Sequence, residues 1–402
     1  MSFVISTAPL TQLDTDAIEN VYVFVADSVR WDFLPEQVTT RGLVCKTAAA
    51  ALCTPQSMSS IVTGRHAPRH GVTWFNDSIN ESMPTLFDLD VTAGYNEIVW
   101  EGRAVQDILN DPGSVDLETV EDPFLVIEHD NGGHAPYVGY EGMATADVFE
   151  DISDRRELRR RYRETIEAST ARFERRVELL ERRGLLESTL VIYLADHGEL
   201  LGEHGGFVGH GLPTAPELVY VPTVFIHESL PATVSETFVH HTDLFPTIET
   251  LLPGGCATDD VDGDSLLGGV DPDRPAYTQG LMRPSERYRG TALDPNYDVP
   301  SLWTKHGGYT FNHTSRLALP FTATFDALFS SYTGAFNGSF PPTVLATTLT
   351  HYLTSEHAFG EPSISRERAR QMVDRISSVT VETASDSLDE ETKEHLELLG
   401  YH

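Results

Sequence analysis

Lysine is almost absent from this 402-residue chain, which carries it only at Lys46, Lys305 and Lys393. Asp and Glu number 61 against 28 for Lys and Arg together, so the formal net charge is −33. A surface of this charge repels nucleic acid and anionic membranes, and neither is an expected partner. Because the acidic residues are spread along the whole chain, we interpret them as a hydration coat and predict a halophilic protein.

Cysteine is also scarce, with Cys45, Cys53 and Cys256 making an odd set of three. Such a set is not a disulfide framework and is typical of a reducing compartment. The first residues, MSFVISTAPLTQLDTD, lack the basic and long apolar segments of a signal peptide. No apolar run reaches the roughly 18 residues that a membrane helix needs. The sequence therefore predicts a cytoplasmic protein.

Short, continuous apolar runs predict strands that are buried on both faces of a sheet. The strongest are 21–26 (VYVFVA), 124–128 (FLVIE) and 190–195 (LVIYLA), and the weaker candidates are 96–100 and 223–227. Helical patterns lie between them, at about 56–63, 84–93 and 154–183, where Gly184 ends the last. This alternation predicts an α/β fold with a doubly wound, mostly parallel sheet.

The pattern changes after about residue 270, where Pro, Gly and aromatic residues become more frequent. We predict a catalytic α/β domain over 1–274 and a smaller α+β subdomain over 275–402. Within the subdomain, 309–313 and 321–325 are candidate antiparallel strands, and an acidic, helical tail closes the chain.

Two of the predicted strands end in aspartate. Asp27 follows the first strand, and Asp196 follows the third, with His197 directly after it. In open α/β sheets ligands bind beyond the carboxyl ends of the strands. Two carboxylates and an imidazole at that edge are suited to one divalent cation, such as Ca²⁺, Mn²⁺ or Zn²⁺.

Further histidines follow predicted strands. His197 opens the Gly-rich segment DHGELLGEHGGFVGHG, in which His210 is our candidate for a side chain that reaches substrate and His204 is assigned a structural role. His134, in GGHAPY, is placed to protonate a departing oxygen. The neighbouring Glu128, His129 and Asp130 are expected to support the site.

In chain order, these segments resemble the sulfatase branch of the alkaline phosphatase superfamily. The matching segments are NVYVFVADSVRWDFLP, CTPQSMSSIVTGRHAPRHGV, MPTLFDLDVTAGY, GGHAPY, LVIYLADHGELLGEHGGFVGHG, HTDLFPTIETLLP, DGDSLL and LELLGYH. The resemblance implies an alkaline phosphatase-like fold and a hydrolase of sulfate or phosphate-type esters that uses one divalent metal ion. It also implies a nucleophile on the metal and a covalent intermediate.

The sequence departs from the family pattern at two places. Family sulfatases carry paired aspartates at the first motif, whereas Ser28 follows Asp27 here. They also carry Cys-x-Pro-x-Arg, in which the cysteine is oxidised to formylglycine, whereas Ser57 stands in place of that arginine. A non-catalytic relative that binds a metal or an anion therefore remains an alternative.

The nucleophile is Thr54 or Cys53. The family's cysteine lies nine residues before its Thr-Gly threonine, which selects Thr54, whereas its Cys-x-Pro spacing selects Cys53. We predict Thr54, as a helix N-cap with Pro55 at the first helical position and as a further metal ligand. Cys53, as formylglycine or thiolate, is the alternative. Asn76 and Arg65 are candidate substrate-binding residues, although Arg65 equally suits a structural ion pair.

Three functions remain open on these residues. The first is hydrolysis of a small-molecule or saccharide ester of sulfate, phosphate or phosphonate. The second is transfer of the same group to an alcohol instead of water. The third is binding without catalysis. The sequence does not indicate an oligomeric state.

We expect the melting temperature to rise by more than about 5 °C between low and molar KCl, because the carboxylates repel one another when they are not screened. Differential scanning fluorimetry across a salt series measures this. A melting temperature that does not change with salt contradicts the halophilic interpretation.

Overall fold

A computed structural model describes residues 8–99, 103–152, 154–210, 213–255, 260–282, 297–314 and 354–379, and a few isolated positions between 346 and 396. The strands are, in chain order, β1 (Asn20–Ala26), β2 (Leu43–Ala48), β3 (Asp77–Ser78), β4 (Thr92–Glu97), β5 (Phe124–Asp130), β6 (Thr189–Leu194), β7 (Leu200–Glu203), β8 (Phe207–Gly209), β9 (Tyr220–Ile226), β10 (Thr233–Val234), β11 (Val239–His240), β12 (Ala276–Thr278), β13 (Leu281–Met282), β14 (Tyr297–Asp298), β15 (Ser301–Thr304), β16 (Gly307–Phe311), β17 (Glu356–Gly360) and β18 (Ala384–Ser385).

Helices connect many of these strands. They are α1 (Glu36–Thr39), α2 (Thr54–Thr63), α3 (Ala67–His70), α4 (Ala104–Ile108), α5 (Thr145–Asp151), α6 (Arg155–Arg183), α7 (Pro216–Val219), α8 (Leu244–Leu251) and α9 (Arg366–Ser377). None of the helices in the described ranges combines the length and the apolar character that crossing a bilayer requires.

The main sheet has the strand order β10-β2-β9-β6-β1-β5-β4, and β11 also pairs with β2. Its strands are parallel except for β9, which runs antiparallel to both β2 and β6. The predicted α/β fold with a mostly parallel sheet is confirmed.

Both faces of this sheet are covered, which explains the continuous apolar runs. In β1, Val21, Val23 and Val25 pack in one buried cluster together with residues of α2 and α8. The alternate residues of the same strand pack in a second cluster, together with residues of α6. Every residue of β1 is buried, so a run without polar alternation is what this position requires.

Helices α2 and α6 and the three strongest strands lie where the sequence places them. In α6, the Asp154 side chain accepts hydrogen bonds from two backbone N–H groups of the first turn. Gly184 ends the helix in the left-handed conformation, with φ of 70°. The weaker strand prediction at 223–227 corresponds to β9, which begins earlier, at Tyr220.

The predicted helix at 84–93 is wrong. A short 3₁₀ turn, Leu86–Asp88, stands there behind a Thr85–Asp88 capping box. The chain then enters β4 at Thr92, which pairs with Phe124 of β5. The strand predicted at 96–100 is accordingly displaced towards the N-terminus. Pairing with a buried neighbour has overridden the local helical pattern.

Beyond residue 275, β12, β15, β16 and β17 form an antiparallel sheet, and α9 packs on it through Ala369 and Val373. The predicted strand at 309–313 overlaps β16. The strand predicted at 321–325, Cys256 and most of the acidic tail lie outside the described residues. The division of the chain into two domains at residue 274 stays a prediction.

Cys45 and Cys53 are free thiols.

Gly132 permits a close approach between the ends of β1 and β5. Its φ is 49°, and a Cβ there would lie 2.2 Å from the Asp27 carbonyl oxygen. We expect Gly132→Ala to destabilise the protein by about 2 to 4 kcal/mol, through overpacking and an unfavourable φ.

Gly113→Ala is the matched control. Gly113 also has a positive φ, of 80°, but a Cβ there meets nothing within 4 Å. We expect Gly113→Ala to lower the free energy of unfolding by only about 1 kcal/mol. Urea unfolding in molar salt measures this loss for both variants. Equal losses would show that contact with the Asp27 backbone is unimportant.

Candidate active site

The register of β1 and β6 brings two aspartates together. The strands are parallel neighbours, with Val25 opposite Leu194. An aspartate follows two residues after each of these positions, at Asp27 and Asp196. With the adjacent His197, they offer ligand atoms that all lie within 4.8 Å of one another. All three side chains are fully buried. The sequence predicted this convergence.

The tautomer of His197 makes the cluster suitable for a cation. His197 Nδ1 lies 2.9 Å from the Gly198 carbonyl oxygen, which only accepts, so Nδ1 carries the hydrogen. Nε2 then presents a lone pair 3.5 Å from both Asp27 Oδ1 and Asp196 Oδ2. Within the described ranges, Asp196 Oδ2 has no hydrogen-bond partner. A buried set of anionic and lone-pair donors of this kind fits a divalent metal ion.

Ser28, where the family has a second aspartate, holds the two carboxylates in place. Its hydroxyl donates to Asp27 Oδ1 at 2.8 Å, and its backbone N–H donates to Asp196 Oδ1 at 3.2 Å. Ser28 makes these bonds from a left-handed backbone conformation, with a φ of 62°. In the sequence Ser28 is only a departure from the family's paired aspartates, and this hydrogen-bonding role was not predicted.

Three polar residues, His129, Glu97 and Tyr95, form a row next to Asp27. The sheet register aligns Val25, His129 and Glu97 across three adjacent strands. His129 Nε2 lies 3.5 Å from Asp27 Oδ2, and Nδ1 lies 3.2 Å from Glu97 Oε2. Tyr95 places its hydroxyl 3.0 Å from His129 Nδ1. Sequence reasoning named His129 as a supporting residue but missed Glu97 and Tyr95.

The charges in this row are complementary. Burial alone lowers the pKa of His129, but Glu97 and Asp27 outweigh it and raise that pKa well above its usual value. Burial likewise raises the pKa of Asp27, but His134, His129 and His197 outweigh it and hold that pKa well below its usual value. An imidazolium between two carboxylates therefore keeps Asp27 ionised within the core.

The other two expected supporting residues form ion pairs with α6. Glu128 Oε2 accepts from Arg176 Nε at 2.7 Å and from the Tyr22 hydroxyl at 2.6 Å. Asp130 accepts from Arg172. These contacts tie the end of β5 to the helix that covers that face of the sheet.

The prediction that Thr54 is the N-cap of α2 is wrong. The N-cap position is Cys53, whose carbonyl oxygen accepts from Ser57 N at 3.1 Å. Thr54 is therefore the first helical residue, and Pro55 is the second. The Thr54 side chain is still directed into the site, with Oγ1 3.4 Å from His197 Nε2. Burial raises the pKa of the Cys53 thiol to about 12, which disfavours a thiolate.

His134 and His210 face each other, with their Nε2 atoms 3.2 Å apart. The Nδ1 atom of His134 contacts the Ala135 carbonyl oxygen, and that of His210 lies 3.1 Å from the Leu52 carbonyl oxygen. Both Nδ1 atoms therefore carry hydrogen, and the two Nε2 atoms face each other. Burial lowers the pKa of both rings, that of His210 well below its usual value. The rings of His210 and His197 are 4.4 Å apart, which connects the pair to the aspartate cluster.

Glu199 is a further buried acid that the sequence analysis did not identify, although it follows the Asp-His-Gly run directly. Burial and the charge of Asp27 raise its pKa well above the usual value, which favours the protonated carboxyl group. Ser28 and Tyr137 are its nearby hydroxyl groups.

Three of the residues singled out in the sequence lie around the cluster and make other contacts. Arg65 donates to the Asp260 carbonyl oxygen at 2.8 Å and pairs with the Asp260 carboxylate at 3.3 Å, which is the structural ion pair considered above. Asn76 is half-buried in the turn before β3. His204 Nε2 lies 2.9 Å from Glu217 Oε2, as its structural assignment expects. Substrate binding by Arg65 or Asn76 stays a prediction.

Known proteins resemble this chain in sequence and in fold. A family model described as Sulfatase matches residues 104–254. The chain is 32% identical over 412 residues to the low-salt glycan biosynthesis sulfotransferase Agl7 of Haloferax volcanii, and the match covers 98% of this chain and 99% of that protein.

Two solved structures share the fold. One is a protein in complex with its substrate D-glucosamine-2-N,6-O-disulfate, with a TM-score of 0.56, 14% identity, and coverage of 84% of this chain and 98% of that one. The other is the phosphonate monoester hydrolase of Agrobacterium radiobacter, with a TM-score of 0.57, 14% identity, and coverage of 73% and 87%.

We expect Asp196→Asn to weaken binding of Mn²⁺, Ca²⁺ or Zn²⁺ by at least roughly a hundredfold, because it removes an anionic ligand. Isothermal titration calorimetry in molar KCl measures the affinity. Asp130→Asn is the control, since Asp130 also ends a neighbouring strand but pairs with Arg172. If both variants bind metal as the unmodified protein does, the cluster is not a metal site.

Proposed function

Because this chain belongs to the sulfatase family of the alkaline phosphatase superfamily, we propose that it cleaves a sulfate- or phosphate-type ester with the help of one divalent metal ion. The substrate is a small-molecule or saccharide ester. The observation that carries this proposal is the buried cluster of Asp27, Asp196 and His197, with the Thr54 hydroxyl against it. Within the described ranges, Asp196 Oδ2 has no hydrogen-bond donor, and a cation would satisfy this buried anionic oxygen.

Asp27, Asp196, His197 and the Thr54 hydroxyl would hold the ion. When bound, a divalent cation offsets the charge on the oxygens of the reacting sulfur or phosphorus centre and lowers the cost of an alkoxide. Ser28 and His129 fix the two carboxylates, so these ligands need little rearrangement.

Thr54 acts as the nucleophile in this proposal. Its hydroxyl lies at the N-terminus of α2, where the helix dipole favours an anionic substrate. The Thr54 oxygen forms a bond to sulfur or phosphorus while the bond to the ester oxygen breaks. Thr54 loses one proton and the departing oxygen gains one, so the step is balanced. The Thr54 hydroxyl lies 3.4 Å from His197 Nε2, whereas Cys53 packs in the apolar cluster, which favours Thr54 over an unmodified cysteine.

The His134–His210 pair supplies the proton to the departing oxygen. Each ring is anchored through Nδ1 to a backbone carbonyl, so the Nε2 atoms point at a common position. One Nε2 atom carries a proton in the form that donates. Burial lowers the pKa of both rings, and the negative charge of a bound ester favours the protonated form. Proton transfer from Thr54 through solvent restores it.

A second candidate function is transfer of the group to an alcohol. The observation that favours it is the full-length similarity to a glycan biosynthesis sulfotransferase. The first half of the reaction is unchanged. In the second half a saccharide hydroxyl, in place of water, attacks the sulfur or phosphorus bound to Thr54, and the threonine is released.

Assays in molar salt with aryl sulfate, phosphate monoester, phosphodiester and phosphonate substrates, each with Mn²⁺, Ca²⁺ or Zn²⁺, test the proposal. We expect turnover of at least one ester class that chelation abolishes. Mass spectrometry of products formed with and without a saccharide acceptor separates transfer from hydrolysis. Metal binding without turnover of any of these esters would instead support the non-catalytic alternative.

We expect Thr54→Ala to lower kcat by at least roughly a thousandfold, because the attacking atom is removed. Thr63→Ala is the matched control at the other end of α2, where Thr63 Oγ1 donates to the Ser59 carbonyl oxygen. It should leave kcat within about twofold.

Cys53→Ala completes this comparison. Activity that survives Cys53→Ala and is lost in Thr54→Ala assigns the nucleophile to Thr54. The reverse result, with formylglycine in the intact mass of the peptide, would assign it to Cys53.

A further inference from the structure

His241 opens the segment HTDLFPTIETLLP, whose role is not explained by the chemistry above. It follows β11 and begins a 3₁₀ turn, His241–Asp243, that leads into α8. The side chain is fully buried. It lies between two segments that supply the site, the loop before α2 and the end of β6.

The ring of His241 bridges these two segments by two hydrogen bonds. Its Nδ1 accepts from the Ala50 backbone N–H at 3.2 Å. Its Nε2 donates to the Ala195 carbonyl oxygen at 2.9 Å. An N–H can only donate and a carbonyl can only accept, so one neutral tautomer satisfies both. Burial lowers the pKa of His241 to about 3, which keeps that tautomer neutral.

The turn that carries His241 is itself held in place. The Asp243 carboxylate accepts from the His240 backbone N–H at 2.8 Å and from the Asp264 backbone N–H at 3.0 Å. It also pairs with Arg274. Because these bonds anchor the turn, the imidazole is a spacer of constant length between Ala50 and Ala195.

We propose that His241 is a positioning residue that sets the distance between the nucleophile segment and the metal-binding strand end. Ala50 lies four residues before Thr54, and Ala195 lies directly before Asp196. The His210–Leu52 bond joins the same loop to the Gly-rich segment but does not reach β6. The inference rests on the proposed function, since it assumes that Thr54 reacts beside Asp196.

The kinetic test compares His241→Phe with His227→Phe. His227 is a matched control because it is also buried and contacts Ser229 Oγ at 2.7 Å and the Glu187 carbonyl oxygen at 3.0 Å. It follows β9, beside the start of β6 and away from Asp196. We expect similar losses of melting temperature in both variants.

Only His241→Phe should lower kcat, by about 30- to 100-fold with KM changed by less than about threefold, because a displaced nucleophile affects the reaction more than binding. His241→Gln keeps one donor and one acceptor and should recover at least about tenfold of this loss. An unchanged kcat in His241→Phe, or an equal loss in His227→Phe, would overturn the proposal.

Hydrogen–deuterium exchange tests the bridge without reference to activity. Exchange of the 49–54 amides should accelerate at least about tenfold in His241→Phe, because one of their hydrogen bonds is lost, and should not change in His227→Phe. If His241→Phe does not fold, His241→Gln is compared with the unmodified protein in the same way. Protection of the 49–54 amides that stays above half of its original value supports the bridge, and a larger loss contradicts it. Absence of turnover in the unmodified protein refutes the proposed function alone, whereas unchanged exchange in His241→Phe refutes the bridge.

Discussion

The structure is organised around two carboxylates that are buried next to each other. The pairing of β1 with β6 places Asp27 and Asp196 at the same end of two neighbouring strands, with both side chains buried. Like charges at such a distance in a core are strongly unfavourable unless a cation or cationic side chains offset them. His129 and the two Ser28 donors offset part of this cost. A divalent ion bound by the two carboxylates and the His197 lone pair would offset the rest.

The groups around the pair maintain its geometry by backbone contacts. Ser28 donates its N–H to Asp196, His210 bonds to the Leu52 carbonyl oxygen, and His241 joins Ala50 to Ala195. Each contact links a strand end or the Gly-rich segment to a loop from a distant part of the chain. The candidate nucleophile, cation ligands and proton donors are thereby fixed relative to one sheet edge, which is the preorganisation that the proposed group transfer requires.

Much of this arrangement was predictable from sequence because it follows from local rules. Continuous apolar runs identified β1, β5 and β6, and polar residues directly after them identified Asp27, Asp196 and His197. The failures also have physical reasons. Instead of the helix expected at 84–93, the chain forms a 3₁₀ turn and then enters β4, for which β5 is a buried partner. Thr54 was predicted as the N-cap but is the first helical residue. Backbone conformation, and not residue preference, makes Cys53 the N-cap.

The sequence by itself determined which residue types are available and where strands deliver them: a mostly parallel sheet, acids at two strand ends and a hydroxyl at a helix start. Only the tertiary structure decided how they meet. Strand order and register made Asp27 and Asp196 neighbours, aligned Glu97 behind His129, and brought His241 between two loops far apart in the chain. Such pairings depend on which buried edges match in three dimensions, and no local pattern encodes the partner of a strand or the target of a buried imidazole.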